Sequence, residues 1–430
     1  MKNILLLGLL CYTSLSCSQN FEVVEEKLVS GGIEYPLSEP HLVIDPNDPN
    51  HFIGASILTT KWEEGSPPKS HIVVLQSWDE GKSWNEKHFD HNITLGADPW
   101  LSMNKKGTLI LTSLNRMVNK RSTYLLCFVS NDGGKTWDDN YLNLGFAHDR
   151  QSIVIDPKSQ DFIICSSKFN QNSDGKSITG ISITRLASDG SLRYSNWHAM
   201  SNVDQNNSTP VINDQGDLLI PYIDYMANYK RLQTRRNWMA KSNDLGRTIT
   251  ENIFLGEDAG SFPYIALSPQ VDTSAQKLYY LSSKGKFKEY KGFTLRTSND
   301  YGYTWNDKVD IDQYMGGLPY IRGAQMAINN DGVIAVLWFD RRGINDNENG
   351  HNLYFSFSND EGKTFQKPIK ISSKPSFPDE TKNGMVDKRW PVGGDYFGLC
   401  ATDKGNFRVL WVDHRDGKPQ LYFAKIDMNE

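Results

Sequence analysis

Ser77-Trp78-Asp79-Glu80-Gly81-Lys82-Ser83-Trp84 returns as Ser130-Asn131-Asp132-Gly133-Gly134-Lys135-Thr136-Trp137. It returns again as SNDLGRTI from Ser242, SNDYGYTW from Ser298 and SNDEGKTF from Ser358, and in worn form as Ser188-Asp189-Gly190. The starts at 77, 130, 188, 242, 298 and 358 lie 53 to 60 residues apart. A fixed period of this length is the mark of a repeat architecture. Within each copy the Gly supplies a backbone conformation other residues resist, and the Asp can hydrogen-bond neighbouring N–H groups and hold a tight turn. The aromatic then opens the next strand. The regular Asp residues therefore serve turns and are poor candidates for catalysis.

Each interval holds about four short alternating strands, the content of one propeller blade. Seven inner-strand starts can be read: EPHLVIDP, ADPWLSMN, HDRQSIVIDP, STPVINDQG, FPYIALSP, RGAQMAIN and GDYFGLCA. The last unit, from about Trp390, has three strands before the chain ends. Phe21 to Val29 can supply the fourth and so remove an open sheet edge. The fold class is all-β: a seven-bladed β-propeller closed by the N-terminal strand. Six blades are the alternative if the weak third unit is an insertion.

The chain has 430 residues, 46 Lys+Arg against 51 Asp+Glu, and 11% aromatic residues. A net charge of -5 gives no support for a nucleic-acid partner or a polybasic membrane surface. Lys2 and the apolar run Ile4 to Leu10 read as a signal segment, too short to span a bilayer. Ser14-Leu15-Ser16-Cys17 resembles a bacterial lipobox. Residues 1–16 are thus expected to be a lipoprotein-type signal, 17–37 an anchor, linker and closing strand, and 38–430 the propeller. Lipidation at Cys17 would make the protein an exported, monomeric cell-envelope lipoprotein on the periplasmic or surface face of the outer membrane, and its membrane contact the anchor. Ordinary signal cleavage near the same place is the alternative. Cys127, Cys165 and Cys400 sit in apolar strand-like runs and read as buried free thiols. No Cys/His spacing suggests zinc, and neither a metal nor a cofactor is called.

In a propeller of this kind the pocket forms around the axis, at the starts of the inner strands and the loops joining each second strand to the third. Residues there include Asp98, Trp100, Asn115 and Arg116 in blade two, and His148, Asp149, Arg150 and Lys168 in blade three. Blade four offers Tyr222, Asp224, Tyr225, Arg235 and Arg236, and blade five Tyr264. Blade six offers Arg322, Asp340, Arg341 and Arg342, and blade seven Asp395, Tyr396, Asp413, His414 and Arg415. Recurring guanidiniums suit a carboxylate or sulfate, because their forks bind oxyanions bidentately. The Asp-Arg pairs near Trp338 and Trp411 read instead as ties between blades.

The repeat Ser-x-Asp-x-Gly-x-[Thr/Ser]-aromatic is similar to the Asp-box, or BNR, repeat, and the chain resembles the sialidase superfamily over nearly its whole mature length. Exo-sialidases share a Phe/Tyr-Arg-Ile-Pro motif before the first repeat and have six blades. Here the region reads Tyr35-Pro36 and Glu39-Pro40-His41, with no Arg. Residue types and blade order are more similar to seven-bladed polyuronate lyases of the ulvan-lyase type. That resemblance implies His148 and Tyr222 as the proton-transfer pair. It also implies Arg235 or Arg236 and Tyr264 as binding groups, and Arg116, Arg150 and Arg322, read from their places at the mouth, complete the set expected to bind an acidic oligo- or polysaccharide. The expected reaction is proton abstraction and β-elimination, as a lyase or a dehydratase, with the carboxylate charge neutralised so that an enediolate can form. The alternatives are a sialidase-like hydrolase using Tyr396 with Arg322 and Arg389, and a glycan-binding propeller without turnover.

Overall fold

The computed structural model describes residues 20–60, 69–138, 140–171, 177–201, 204–225, 235–258, 263–269, 276–286, 289–312, 324–345 and 348–429. Among these residues seven antiparallel sheets form seven blades. Blade one is Leu37–Asp45, Asp48–Thr59, Ser70–Ser77 and Asn85–Phe89. Blade two is Ile93–Met103, Leu109–Met117, Tyr124–Ser130 and Leu142–Phe146, and blade three His148–Ile155, Phe162–Gln171, Ser177–Leu186 and Leu192–Ser201. In blade four the inner position is split between Asp204–Asn207 and Val211–Ile212, both pairing Leu218–Tyr225, which is followed by Arg235–Ser242 and Glu251–Asp258. Blade five is Tyr264–Leu267, Leu278–Lys286, Glu289–Ser298 and Val309–Asp310, and blade six Ala324–Ile328, Ile334–Asp340, Asn352–Ser358 and Ile369–Lys370. Blade seven joins Gly398–Ala401, Phe407–Asp413 and Gln420–Met428 to Phe21–Leu28 from the other end of the chain.

The weak third unit is a complete blade, which removes the six-bladed alternative. Its worn turn survives because Asp189 Oδ1 still accepts from the Ser191 backbone at 3.0 Å and hydroxyl at 2.7 Å. In the full copies Ser77 Oγ donates to Asp79 Oδ1 at 2.8 Å and accepts from Gly81 N at 2.7 Å, while Ser83 N donates to Asp79 Oδ1 at 2.9 Å. The same bonds recur around Asp132, Asp244, Asp300 and Asp360. The backbone and hydroxyl donors of Ser83, with Ser77, hold the Asp79 carboxyl well below the usual carboxylate range. These carboxylates are thus spent on turn geometry. Each turn joins a third strand to a fourth, so all five lie at the end of the ring opposite the inner-strand starts.

Second strands are buried on both faces, as Ile334–Asp340 and Phe407–Asp413 are throughout. Neighbouring blades interlock through them, for example where Leu337, Phe339, Phe355, Phe407 and Trp411 share one cluster. Cys127 and Cys165 are buried cysteines in no disulfide, and half-buried Cys400 donates to the Leu42 carbonyl at 3.0 Å. Two short helices, Glu380–Asn383 and Met385–Arg389, lie in the link from blade six to blade seven.

Candidate active site

Three successive inner strands open with the same irregularity. Pairing skips from Ser38↔Ile57 to His41↔Ala55, from Ala97↔Leu114 to Trp100↔Thr112, and from Asp149↔Ser167 to Ser152↔Cys165. Each skip sets two inner-strand residues against one, a β-bulge that re-aims a side chain. The first bulge residues are Glu39, Asp98 and Arg150, with φ of 53, 50 and 51°. Charged, non-glycine residues in the left-handed region cost of order 1 kcal/mol each, and such strain collects at functional sites. Blade seven adds Asp395 and Tyr396 on the approach to its inner strand. There Gly394 lies against the Glu39 backbone so closely that a Cβ would stand 2.8 Å from Glu39 N, so only glycine permits the approach.

These side chains converge at the axial mouth. Arg150 Nη1 meets Asp395 Oδ2 at 3.1 Å. Arg150 N and Asp395 N donate at 3.4 Å to Asp98 Oδ2 and Glu39 Oε1. Gln151 Nε2 donates to the Asp98 carbonyl. Burial, reinforced by Asp98 and Asp395, pushes the Glu39 carboxyl well above its usual value, and a side-chain hydrogen bond links it to Asp98. Burial and the Asp149 charge push Asp98 up to about 6, against the opposing pull of Arg150. Two such carboxyls hold a proton between them as one unit. Tyr396, 8% exposed, is held far above the usual phenol range by burial and by Glu39 and Asp98, and among the described residues its hydroxyl has no hydrogen-bond partner. Glu39 Oε2 is likewise buried, with no partner among the described residues. The Tyr396 ring meets Trp100 edge-on at 5.8 Å, and Trp100 lies against His41 at 4.2 Å. Burial lowers His41 to about 3, so it is neutral, and its Nδ1 accepts from Leu101 N at 3.3 Å.

Of the residues singled out from sequence, Asp98, Trp100, Arg150, Asp395 and Tyr396 stand in this cluster. Tyr264 lies within the ring, its hydroxyl bonded to Thr209 and close to Cys400; burial raises it to about 12. His148 is 6% exposed, with Nδ1 2.7 Å from Ser166 Oγ and Lys168 opposite it in the sheet. Burial and Lys168 lower its pKa to about 4, although the Leu144 carbonyl favours the protonated ring. Arg116 is exposed, and its carbonyl accepts from Thr94 Oγ1 at 3.1 Å. Arg235 is buried, and Arg236 is paired with Asp224. Arg389 is exposed and stacks on its neighbour Trp390 at 4.5 Å. Arg322 and Cys17 lie outside the described residues.

Tyr222 does not face the axis. It packs among Ile163, Cys165, Ile181 and Ile220, and its hydroxyl donates at 3.2 Å to Asn252 on the outermost strand. Its place in the blade repeats elsewhere. Tyr222 pairs Trp238 as Trp338 pairs Tyr354 and Trp411 pairs Tyr422. Two residues on, Asp224, Asp340 and Asp413 pair with Arg236, Arg342 and Arg415. Those arginines lie over Trp238, Tyr354 and Tyr422 at 5.9, 4.5 and 4.3 Å. Aromatic-x-Asp with a stacked Arg is a device within the blade, where the sequence reading expected the Asp-Arg pairs of blades six and seven to tie neighbouring blades; Tyr222 is its blade-four copy. Tyr222→Phe should therefore cost about 0.5–1.5 kcal/mol for one lost hydrogen bond. Turnover should stay within twofold of wild type, measured alongside urea unfolding; a loss of a hundredfold with the fold intact would restore Tyr222 as a proton carrier.

Glu39 was passed over in the sequence. The signal for it was register: Glu39-Pro40-His41 and Asp98-Pro99-Trp100 occupy equivalent places at the heads of inner strands.

No family model matches the chain, and no curated protein matches it. Several solved structures do. A protein of unknown function from Dyadobacter fermentans DSM 18053 is 14% identical over 95% of this chain and 99% of its own, with a TM-score of 0.50. Penicillium chrysogenum alpha-L-arabinanase, solved with arabinobiose, is 16% identical over 74% of this chain and 94% of its own, with a TM-score of 0.50. Trypanosoma rangeli sialidase, solved with sialic acid, is 13% identical over 91% of this chain but 54% of its own, with a TM-score of 0.46. At such identities the likeness is one of fold, and the fold it accompanies is the seven-bladed β-propeller.

Proposed function

We propose that the protein is a carbohydrate-active enzyme that hydrolyses a glycosidic bond at the axial mouth. The observation that carries this reading is the buried Glu39–Asp98 pair, raised in pKa, beside an Asp395 that is ion-paired with Arg150. Environments that drive neighbouring carboxyls apart assign acid and base roles. The Glu39–Asp98 unit keeps a proton near neutral pH and can give it to a leaving oxygen. Asp395 acts as the carboxylate that activates water or stabilises the developing positive sugar. Tyr396 Oη and Glu39 Oε2, without partners among the described residues, would take sugar hydroxyls in this reading. The arabinanase named above, solved with arabinobiose, is similar in fold, which is support by analogy alone. The test is release of nitrophenol from a panel of aryl glycosides, with reducing ends counted on polysaccharides. Turnover that survives both Asp98→Asn and Glu39→Gln would sink the assignment.

Elimination on a uronate is the second reading, and His148 is the observation that favours it. A neutral imidazole beside the Lys168 ammonium is a competent base next to a group that can neutralise a carboxylate. It ranks second because the one guanidinium among the described axial residues, Arg150, is already engaged by Asp395. An unsaturated uronate product that disappears in His148→Gln would reverse the order.

Export and anchoring at Cys17 are proposed on the sequence pattern. Mass spectrometry of the mature protein should find a lipidated Cys17 at its N-terminus; an unmodified start at Ser18 or later would remove the anchor.

A further inference from the structure

The chain enters the propeller at the end opposite the axial mouth. Phe21 pairs Met428, and Ile426 pairs Phe407, where the second strand of blade seven begins. Met428 N donates at 3.0 Å to Asn406 Oδ1, in the turn that joins the inner strand of that blade to the second. Asn20 is exposed, and its carbonyl accepts from Asn429 N at 2.7 Å. From there Phe21–Leu28 runs toward the mouth over 8 residues, about 27 Å at 3.4 Å each. Cys17 precedes Asn20 by three residues. Three residues reach at most about 11 Å, whatever their conformation. A lipid at Cys17 is therefore held near the end that carries the Asp turns and cannot reach the mouth.

The five full turns at that end share a further feature. The residue after each turn glycine is Lys82, Lys135, Arg247, Tyr303 or Lys363, and all five are exposed. The carboxylate of the same turn is spent on the chain: Asp79 accepts from Ser77 Oγ, Ser83 N and Ser83 Oγ, and the other four are bonded alike. Four cations and one tyrosine thus stand exposed beside acids that are held in. Of the two glutamates in these turns, Glu361 is tied to Lys277 and Glu80 is half-buried. Trp78, in the first turn, is 38% exposed, with the Lys135 ammonium 5.2 Å from its ring. Lys, Arg, Tyr and Trp are the side chains that settle at the headgroup level of a bilayer.

We propose that the end carrying the Asp turns is a membrane-facing surface. It lies against the headgroups of the bilayer that holds the anchor, and the axial mouth opens away from that bilayer. The proposal rests on the lipidation of Cys17 proposed above. With the mouth turned outward, a glycan too large to pass between protein and bilayer still reaches Glu39, Asp98 and Asp395.

The test places the lipidated chain in vesicles of phosphatidylcholine and phosphatidylglycerol that carry a headgroup-linked acceptor dye. A donor dye is attached, in a Cys400→Ser background, at Lys82→Cys or at Lys120→Cys. Lys82 lies in the first Asp turn, and Lys120 lies at the mouth end, between the second and third strands of blade two. Energy transfer from Lys82→Cys should exceed that from Lys120→Cys about twofold or more, because the height of a blade, about 27 Å, separates them. Equal transfer, or stronger transfer from Lys120→Cys, would overturn the proposal. Lys135→Glu with Lys363→Glu, both at exposed turn positions, should lower transfer from Lys82→Cys on these vesicles and leave it unchanged on phosphatidylcholine alone. Indifference to this reversal on both kinds of vesicle would overturn the headgroup contact. Mass spectrometry of the same preparation reads the anchor by itself. A lipidated Cys17 with the wrong order of transfer leaves the anchor standing and removes the orientation, whereas an unmodified Cys17 removes both.

Discussion

Asp98→Asn is expected to cut turnover by about 10²–10⁴-fold, the usual contribution of a positioned general acid. The variant keeps the shape of the bulge but cannot share a proton with Glu39. Its pH profile should change as well. In the wild type, activity that depends on the protonated pair falls as pH rises through about 6, and in the variant that limb should vanish. Stability should move in the same direction. A carboxyl whose folded pKa is raised binds its proton more tightly in the folded state than in the unfolded chain. Its stabilising contribution is full below the unfolded value, near 4, and is lost as pH rises through about 6. The wild type should therefore melt lower at pH 7.5 than at pH 5 by this contribution. Asp98→Asn should flatten the difference and raise Tm at pH 7.5. Thermal unfolding at the two pH values measures it. An unchanged alkaline limb and an unchanged Tm difference would mean that Asp98 is ionised throughout, and the acid role would pass to another group.

The blade count and ring closure were legible because they depend on repetition. A turn that needs Ser, Asp and Gly at fixed offsets leaves a trace even when worn, as at Ser188-Asp189-Gly190. The three-stranded last unit pointed to Phe21–Val29 because an open edge needs a partner. The site was legible only in part. Arg150, Asp98 and Asp395 could be named from their places at inner-strand heads. Whether they meet depends on bulges that rotate Glu39, Asp98 and Arg150 inward, and one residue of offset sends a side chain to the opposite face. Tyr222 shows the same limit from the other side. Its type and blade suited chemistry, yet Trp338-x-Asp340 and Trp411-x-Asp413 already showed the position to be one of packing. Arg236 likewise answers to Asp224, as Arg342 answers to Asp340.

Removing Phe21–Leu28 should have the largest effect on the fold. This strand pairs with Gln420–Met428 from Phe21↔Met428 to Leu28↔Tyr422, so the ring closes by joining the two ends of the chain. Its bonds extend past both ends of the pairing, with Val29 N donating to Leu421 O at 2.9 Å and Asn429 N to Asn20 O at 2.7 Å. Phe21 enters the blade-six and blade-seven core, with its ring 4.8 Å from Phe357 and 5.4 Å from Phe407. Glu26 meets Arg415 at 2.7 Å, and Arg415 also binds Asp413 at the end of the second strand of blade seven. The closing strand thus carries core packing, an edge and a charge network together. Phe21→Ala alone should cost about 3–5 kcal/mol, the usual penalty for emptying a buried aromatic site. Deleting the strand should expose the edge of Gln420–Met428 and drive aggregation by edge pairing. A peptide of residues 20–30 supplied in trans should restore part of the unaggregated peak in size-exclusion chromatography, because the missing blade position is a single strand with a fixed register. A deletion variant that elutes and melts with the wild type would show that blade seven holds the ring with three strands, and that the N-terminal strand merely rests on it.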